Sequence, residues 1–303
     1  MNWKPVVVGV DASPESAVAV TIGWRIAQMT GVKCHLVHAL RDVRSSFPMG
    51  VSPMSAAEVQ EVFVDAVAKQ LVESLRPNVP ERALDALEFR SDGAATGLAH
   101  AVADHRAGLV VLGGRHHSTL GRWLGGSTAQ NVARSLDVPL LVTAGDAGPI
   151  RRILIAVDLS YAAPPTIALA SRYAALFGAT QRALHALEPV PILPEVPPLV
   201  DARQVAALTH DRLAREVWPR LDRSVERSVL PGTAAEAIGR VAREWPADLV
   251  VVGSHGKGWW DRLILGSVTE RLLDALPASL LVVPVPGVPE PAVIPEPVLT
   301  SIA

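Results

Sequence analysis

Residues 250–270 read VVVGSHGKGWWDRLILGSVTE, and residues 110–130 read VVLGGRHHSTLGRWLGGSTAQ. In both stretches an apolar run ends in glycine, a polar loop follows, and Gly-Ser opens a segment with helical spacing. The rest of the chain repeats in the same way. VVVGVDAS at 6–13 matches ILIAVDLS at 153–160, which sets Asp11 against Asp158. HLVHAL at 35–40 matches RALHAL at 182–187, and Gly31 matches Gly178. The chain is therefore two copies of one domain, far longer than a solenoid repeat, and the later copy is shorter between its second and fourth strands.

Each copy alternates short apolar runs with segments of helical periodicity. The run ending in Asp11 or Asp158 reads as a strand buried on both faces. Ser13-Pro14 supplies a capping residue and a proline at the first helical position. Gly31 and Gly178 stand where that helix must end, as left-handed caps. Helices are expected near 55–75 and 202–222, with further strands at ALEFRS, SVERSVL, PLLVTA and SLLVVPV. This order predicts an α/β fold, with a five-stranded parallel sheet and helices on both faces in each copy.

At 303 residues the chain has room for two such cores. Nearly half of it is hydrophobic (49%) and its formal charge is −2, so nothing draws it generally to nucleic acid or to an anionic membrane. No apolar run reaches the ~18 residues of a membrane span, and no signal-peptide layout is seen, so a soluble cytoplasmic chain is expected. The one cysteine, Cys34, falls in a strand-like run and reads as a small core residue.

In an open parallel sheet, ligands settle beyond the carboxyl ends of the strands, where the strand order reverses. Asp158 ends the first strand of the later copy and Gly253 ends its fourth, which puts both at one crevice. The loop runs Gly253-Ser254-His255-Gly256, nine residues, then Gly266-Ser267. Glycines let backbone N–H groups approach a phosphate closely, and the helix behind Ser267 adds free N–H groups and a favourable dipole. Ser267 to Glu270 also spells the capping pattern S-x-x-E, repeated as Ser127 to Gln130. Capping alone accounts for Ser267 but leaves the upstream glycines unexplained.

With Asp158, ADLVVVG and Gly253-x-x-Gly256-x9-Gly266-Ser267 in order, the later copy resembles the ATP-binding branch of the universal stress protein family. The resemblance extends over both copies, with domains at 1–146 and 150–285 and a proline-rich tail at 286–303. It implies two tandem Rossmann-like domains of the adenine nucleotide alpha hydrolase type. It also implies ATP, accompanied by Mg²⁺, as the ligand. Carried over position by position, Asp158 and Ala186 hold the adenosine end, while Gly253, His255, Gly256, Gly266, Ser267 and Val268 hold the phosphates. The family pairs domains through their last strands, so the halves are expected to form an internal pseudo-dimer, with a homodimer and a protein partner beyond it.

The earlier copy departs from this pattern. Gly113-Gly114-Arg115-His116 places a histidine where the second glycine belongs, ahead of Gly126-Ser127. An imidazole and a Cβ then stand where a phosphate should meet bare backbone. Asp11, Ala39, Gly113, Arg115, Gly126 and Ser127 are accordingly the weaker set, and the first site is expected to be poor or empty. Arg115, His116, His117 and Arg122 also fit a different anion pocket. Adjacent histidines rarely share one ion, so no metal site is expected, and His38 and His185 read as buried strand residues. Trp259 and Trp260 anchor the loop or cover phosphates.

No Walker loop, nucleophile elbow, kinase signature set or dinucleotide fingerprint is found. Lys257 and Arg262 suit phosphate, yet no base for activating water is evident, so binding with at most slow hydrolysis is expected. Two functions stay open: a nucleotide-binding regulator, and a stress scaffold acting through its dimer surfaces and proline-rich segments.

Overall fold

The computed structural model describes residues 2–40, 56–77, 79–114, 128–189, 201–254 and 265–285. The first half runs β1 (Val6–Gly9), α1 (Pro14–Thr30), β2 (Cys34–Ala39), α2 (Ala56–Leu75), α3 (Glu81–Leu84), β3 (Leu87–Arg90), α4 (Ala94–His105), β4 (Leu109–Gly113), α5 (Thr128–Ser135) and β5 (Leu140–Thr143). The second runs β6 (Arg152–Ala156), α6 (Ala163–Phe177), β7 (Thr180–Leu187), α7 (Ala202–Arg212), β8 (Glu226–Pro231), α8 (Ala234–Glu244), β9 (Leu249–Gly253), α9 (Ser267–Ala275) and β10 (Ser279–Val283). The short helix α3 occurs in the first half alone among the described residues, and it occupies the stretch by which that copy is longer.

The strands form one ten-stranded sheet in the order β3-β2-β1-β4-β5-β10-β9-β6-β7-β8. Within each half all pairings are parallel, and alternate residues of the inner strands feed two different cores. Val6 and Val8 pack with α1 on one face while Val7 packs on the other; Ile153 and Ile155 face one way and Leu154 the other. A strand covered by helices on both sides can be apolar at every position, which is why these runs show no alternation.

The halves join through their last strands, as expected. β10 runs antiparallel to β5, with Leu281 opposite Leu141 and Leu280 opposite Val142. This pairing covers two strand edges that each half would otherwise leave open. The flanking contacts obey an approximate twofold: Gln130 donates to Asp274 at 2.9 Å, and Arg134 pairs with Glu270, the positions being exchanged between repeats. Arg25 of α1 donates to the carbonyls of Ala147 and Gly148, both at 2.7 Å, and so fixes the connection. Trp3 packs edge-on to Tyr173 at 5.3 Å under the Arg172 guanidinium.

Helix boundaries follow the local chemistry in part. Gly31 (φ 69°) and Gly178 (φ 65°) do take the left-handed cap positions. Ser13 is the N-cap residue of α1, but its side chain does not cap; it donates to Asp11 instead. The helix expected over 202–222 stops at Arg212 and passes through a wide turn at Leu213–Val217 into a tight one at Trp218–Arg220, where Pro219 cannot continue the hydrogen-bond ladder. Among the described residues no helix is long and apolar enough to cross a membrane.

Candidate functional site

The strand order of the second half reverses between β6 and β9, which are paired in register through Ile153–Leu249 and Ile155–Val251. Their two chains leave the sheet side by side and diverge, which opens a cleft at their carboxyl ends. Its volume is about 380 Å³, within the range of small-molecule sites. Asp158, Ala186, Gly253, Gly266, Ser267 and Val268 all line it. Val205 and Thr209 of α7 and Ala234 and Ile238 of α8 supply apolar wall, and Thr166 and His185 lie at its base.

Asp158 is set by the turn that follows β6. One carboxylate oxygen accepts from the Ser160 N–H at 3.0 Å and from the Ser160 hydroxyl at 2.6 Å. Its second oxygen has no partner among the described residues. His185 is buried and donates through Nδ1 to the Val157 carbonyl at 2.9 Å; a carbonyl only accepts, so Nδ1 carries the proton. His38 makes the equivalent bond to Val10 at 2.7 Å. Both are satisfied strand histidines, as their places in the repeat suggested.

Across the cleft, the stem of the glycine loop is tied down on both sides. Gly266 N–H donates to the Ser254 carbonyl at 2.8 Å, and the buried Thr269 hydroxyl donates to the Gly253 carbonyl at 2.9 Å. These bonds hold the first turn of α9 against the end of β9. The expected capping box is absent. Gly266 is the N-cap residue and has no side chain to offer, while Ser267 is already the first helical residue. Glu270 is drawn away to Arg134 across the junction of the halves, and Gln130 likewise to Asp274. The first intrahelical donor is Glu270 N–H, which bonds Gly266 carbonyl at 2.9 Å. The N–H groups of Ser267, Val268 and Thr269 are therefore left without intrahelical acceptors at a helix end where the dipole favours an anion.

The polar groups thus separate along the cleft. Carboxylates, Asp158 and Glu188, stand on the β6–β7 side, and donors stand on the β9–α9 side. His255 and Gly256 lie outside the described residues, as do Lys257, Trp259, Trp260 and Arg262.

In the first half the same positions are used differently. Asp11 accepts from Ser13 N–H at 3.0 Å and Ser13 hydroxyl, and also from Ser16 hydroxyl at 2.8 Å, while its own N–H donates to Ser16 at 2.9 Å. The second half has Ala163 in place of Ser16. Gly113 lies so close to α1 that a Cβ there would come within 2.6 Å of the Glu15 backbone, so its lack of a side chain is required by packing. Ala39 neighbours Gly97 of α4, a Cβ on which would lie 3.8 Å from it. Arg115, His116, His117, Arg122, Gly126 and Ser127 lie outside the described residues.

A model of the universal stress protein family matches the chain twice, over residues 2–144 and 149–284. The chain belongs to the universal stress protein family. Relatives of the same tandem size are found as well. A universal stress protein of Mycolicibacterium smegmatis is 30% identical over 290 residues, covering 92% of this chain and 96% of that one. One from Mycobacterium tuberculosis is 30% identical over 292 residues, with 91% and 96% covered. Among solved structures, a universal stress protein from Archaeoglobus fulgidus superposes with a TM-score of 0.60 at 15% identity, covering 92% of this chain and 97% of its own. A Pseudomonas aeruginosa structure described as a putative universal stress protein gives 0.62 at 17% identity, with 93% of each covered. At such identities the likeness establishes the fold of this universal stress protein and nothing finer.

One cluster was not legible in the sequence. His35 on β2, Glu88 on β3 and His105 at the end of α4 meet at the amino ends of the strands, away from the cleft. Burial, and then the neighbouring His105, push His35 below the usual histidine value. Burial works to raise Glu88, but hydrogen bonds from His105, Arg90 and His35 outweigh it and hold the carboxyl below its usual range.

Proposed function

We propose that this universal stress protein binds ATP, with Mg²⁺, in the cleft of its second half and acts as a nucleotide-dependent regulator, while the first half binds nucleotide poorly or not at all. The observation that carries this reading is the uncapped start of α9 facing the open oxygen of Asp158 across the switch-point cleft. A helix end whose first three N–H groups have no intrahelical acceptor among the described residues suits phosphate, and a carboxylate with a spare acceptor suits ribose hydroxyls or an amine. Ala186 and the small side chains Ala163 and Ala234 leave room for the flat base between them. Mg²⁺ enters with the triphosphate and is held mainly by phosphate oxygens and water, since the described carboxylates lie on the other side.

The described cleft supplies binding groups and no evident base for water, so the nucleotide serves as a signal. Its arrival alters the surface around the cleft that a protein partner or second copy reads. The test is direct: purify the chain without added nucleotide, denature it, and quantify the adenine nucleotide released. About one per chain is expected for one competent half. Gly256→His, which copies the first half, should abolish retention. No released nucleotide together with no binding of Mg-ATP on titration would refute the reading.

A further inference from the structure

Glu88 is the hub of the cluster at the amino ends of β2 and β3. His35 Nδ1 lies 3.2 Å from Glu88 Oε1, and His105 Nε2 straddles the carboxylate, 2.9 Å from the same oxygen and 3.0 Å from Oε2. The outer oxygen, Oε2, is held by Arg90 at 3.2 Å, and Arg90 is in turn neutralised by Asp104 at 2.8 Å. The imidazoles stack at 3.6 Å between centroids, 14° from parallel. His35, Glu88 and His105 are partly exposed, at 18%, 30% and 21% of their side-chain surface, so an ion from solvent can reach them.

The second half shows what this position needs when it is only structural. There Arg182 replaces His35 and Trp245 replaces His105. Arg182 pairs with Glu226 at 2.6 Å and lies over the Trp245 ring at 4.9 Å. A permanent cation on an aromatic face, closed by a carboxylate, joins β7, β8 and the end of α8 and offers an ion no nitrogen lone pair. The first half turns two imidazoles onto the Glu88 carboxylate, which stands two residues further along β3 than Glu226 does along β8.

We propose that His35, Glu88 and His105 form a site for a divalent transition-metal ion of the zinc class, remote from the nucleotide cleft, with water completing the shell. Bonds of about 2.0–2.1 Å in a tetrahedron place ligand atoms roughly 3.3 Å apart, close to the separations found here. Oε1 of Glu88 ligates while Oε2 stays on Arg90, whose hydrogen bond fixes the orientation of the ligating carboxylate. Glu88 and Asp104 balance Arg90 and Lys33, the cation near His35, so the cluster carries no net positive charge to repel a dication. Each ring must hold the ion in its own plane, so the stack opens on binding. His105 ends its helix next to a residue in the left-handed cap conformation, Arg106 (φ 49°), where a ring turn disturbs little.

The experiment uses the full chain, untagged, stripped with chelator and free of nucleotide. Zn²⁺ is titrated by calorimetry and Co²⁺ by its visible absorption. Expected are one ion per chain and a shift of two histidine ring signals in the NMR spectrum. The double variant His35→Arg, His105→Trp places the second half's residues at both positions and removes both nitrogens. It should lose affinity by at least about tenfold, since even second-shell losses cost 10–100-fold. Should that variant misfold, His105→Gln carries the same expectation. Binding within about threefold of wild type in a folded variant, or no stoichiometric Zn²⁺ binding by wild type, overturns the proposal.

Discussion

Ser267→Pro separates the helix end as a structural element from the helix end as a binding site. Ser267 is the first residue of α9, and its N–H has no acceptor within the helix, so proline removes nothing the fold uses. The residue before a proline must be extended, and Gly266 already is, at φ −63° and ψ 140°. The fold should therefore lose almost nothing, within about 0.5 kcal/mol by urea denaturation. The ligand, by contrast, loses one backbone donor and a hydroxyl. A hydrogen bond to a charged group contributes about 1.5–3 kcal/mol, which is roughly a 10- to 150-fold rise in Kd for Mg-ATP. Ser267→Ala keeps the N–H and should cost only roughly 2- to 10-fold. Isothermal titration of both variants distinguishes the contributions. A folded Ser267→Pro protein that binds Mg-ATP within about twofold of wild type would show that no phosphate rests on α9.

Gly113→Ala should destabilise the first half by roughly 1–3 kcal/mol, because the Glu15 backbone 2.6 Å from the new Cβ cannot swing aside, while nucleotide retained per chain stays unchanged. Leu281→Ala, which empties a fully buried place opposite Leu141 where the halves join, should cost about 2–5 kcal/mol and lower the urea midpoint with little change in slope. Cys34 should resist a thiol reagent at pH 8 until urea unfolds the chain, since burial pushes its pKa up to about 12 from 9.0. The same shift means that the unfolded thiol ionises first, so Cys34 stabilises the fold fully below pH 9 and loses that contribution as pH rises toward 12.

The sheet was legible because the repeat supplied every strand twice and because two-faced burial leaves unbroken runs of valine, isoleucine and leucine. The pairing of the halves followed from the family resemblance, and the structure has it. Features that depend on partners distant in sequence were not legible. The S-x-x-E pattern at Ser267 is a local signal, yet Glu270 is taken by Arg134 from the other half, and the cap falls one residue earlier on a glycine. The same competition moves the Ser13 hydroxyl from the helix end to Asp11. Beyond Arg212, local periodicity continues while Pro219 and the buried Leu213 and Val217 impose their own turns. His35, Glu88 and His105 come from three elements and no spacing links them; only the register of β2 with β3 brings the first two to one edge.

The two halves differ most at one atom each. In the first, the Ser16 hydroxyl adds a bond to Asp11 and, together with Ser13, fastens that carboxylate to the start of α1; Gly113 packs flat against the same turn. In the second, Ala163 replaces Ser16, and among the described residues Asp158 is held by Ser160 alone. In both halves these bonds end on one carboxylate oxygen, so the difference is in how firmly the group is fixed: Asp11 by three donors at the start of α1, Asp158 by the two of Ser160, which leaves it freer to turn toward a ligand. The amino ends of the strands show the opposite division. There the second half is closed by a permanent Arg182–Glu226 pair over Trp245, and the first turns two imidazole nitrogens, whose protons a metal ion could displace, onto Glu88. If both proposals hold, each copy keeps one end of the fold for structure and the other for a ligand, at opposite ends of one sheet joined at β5–β10.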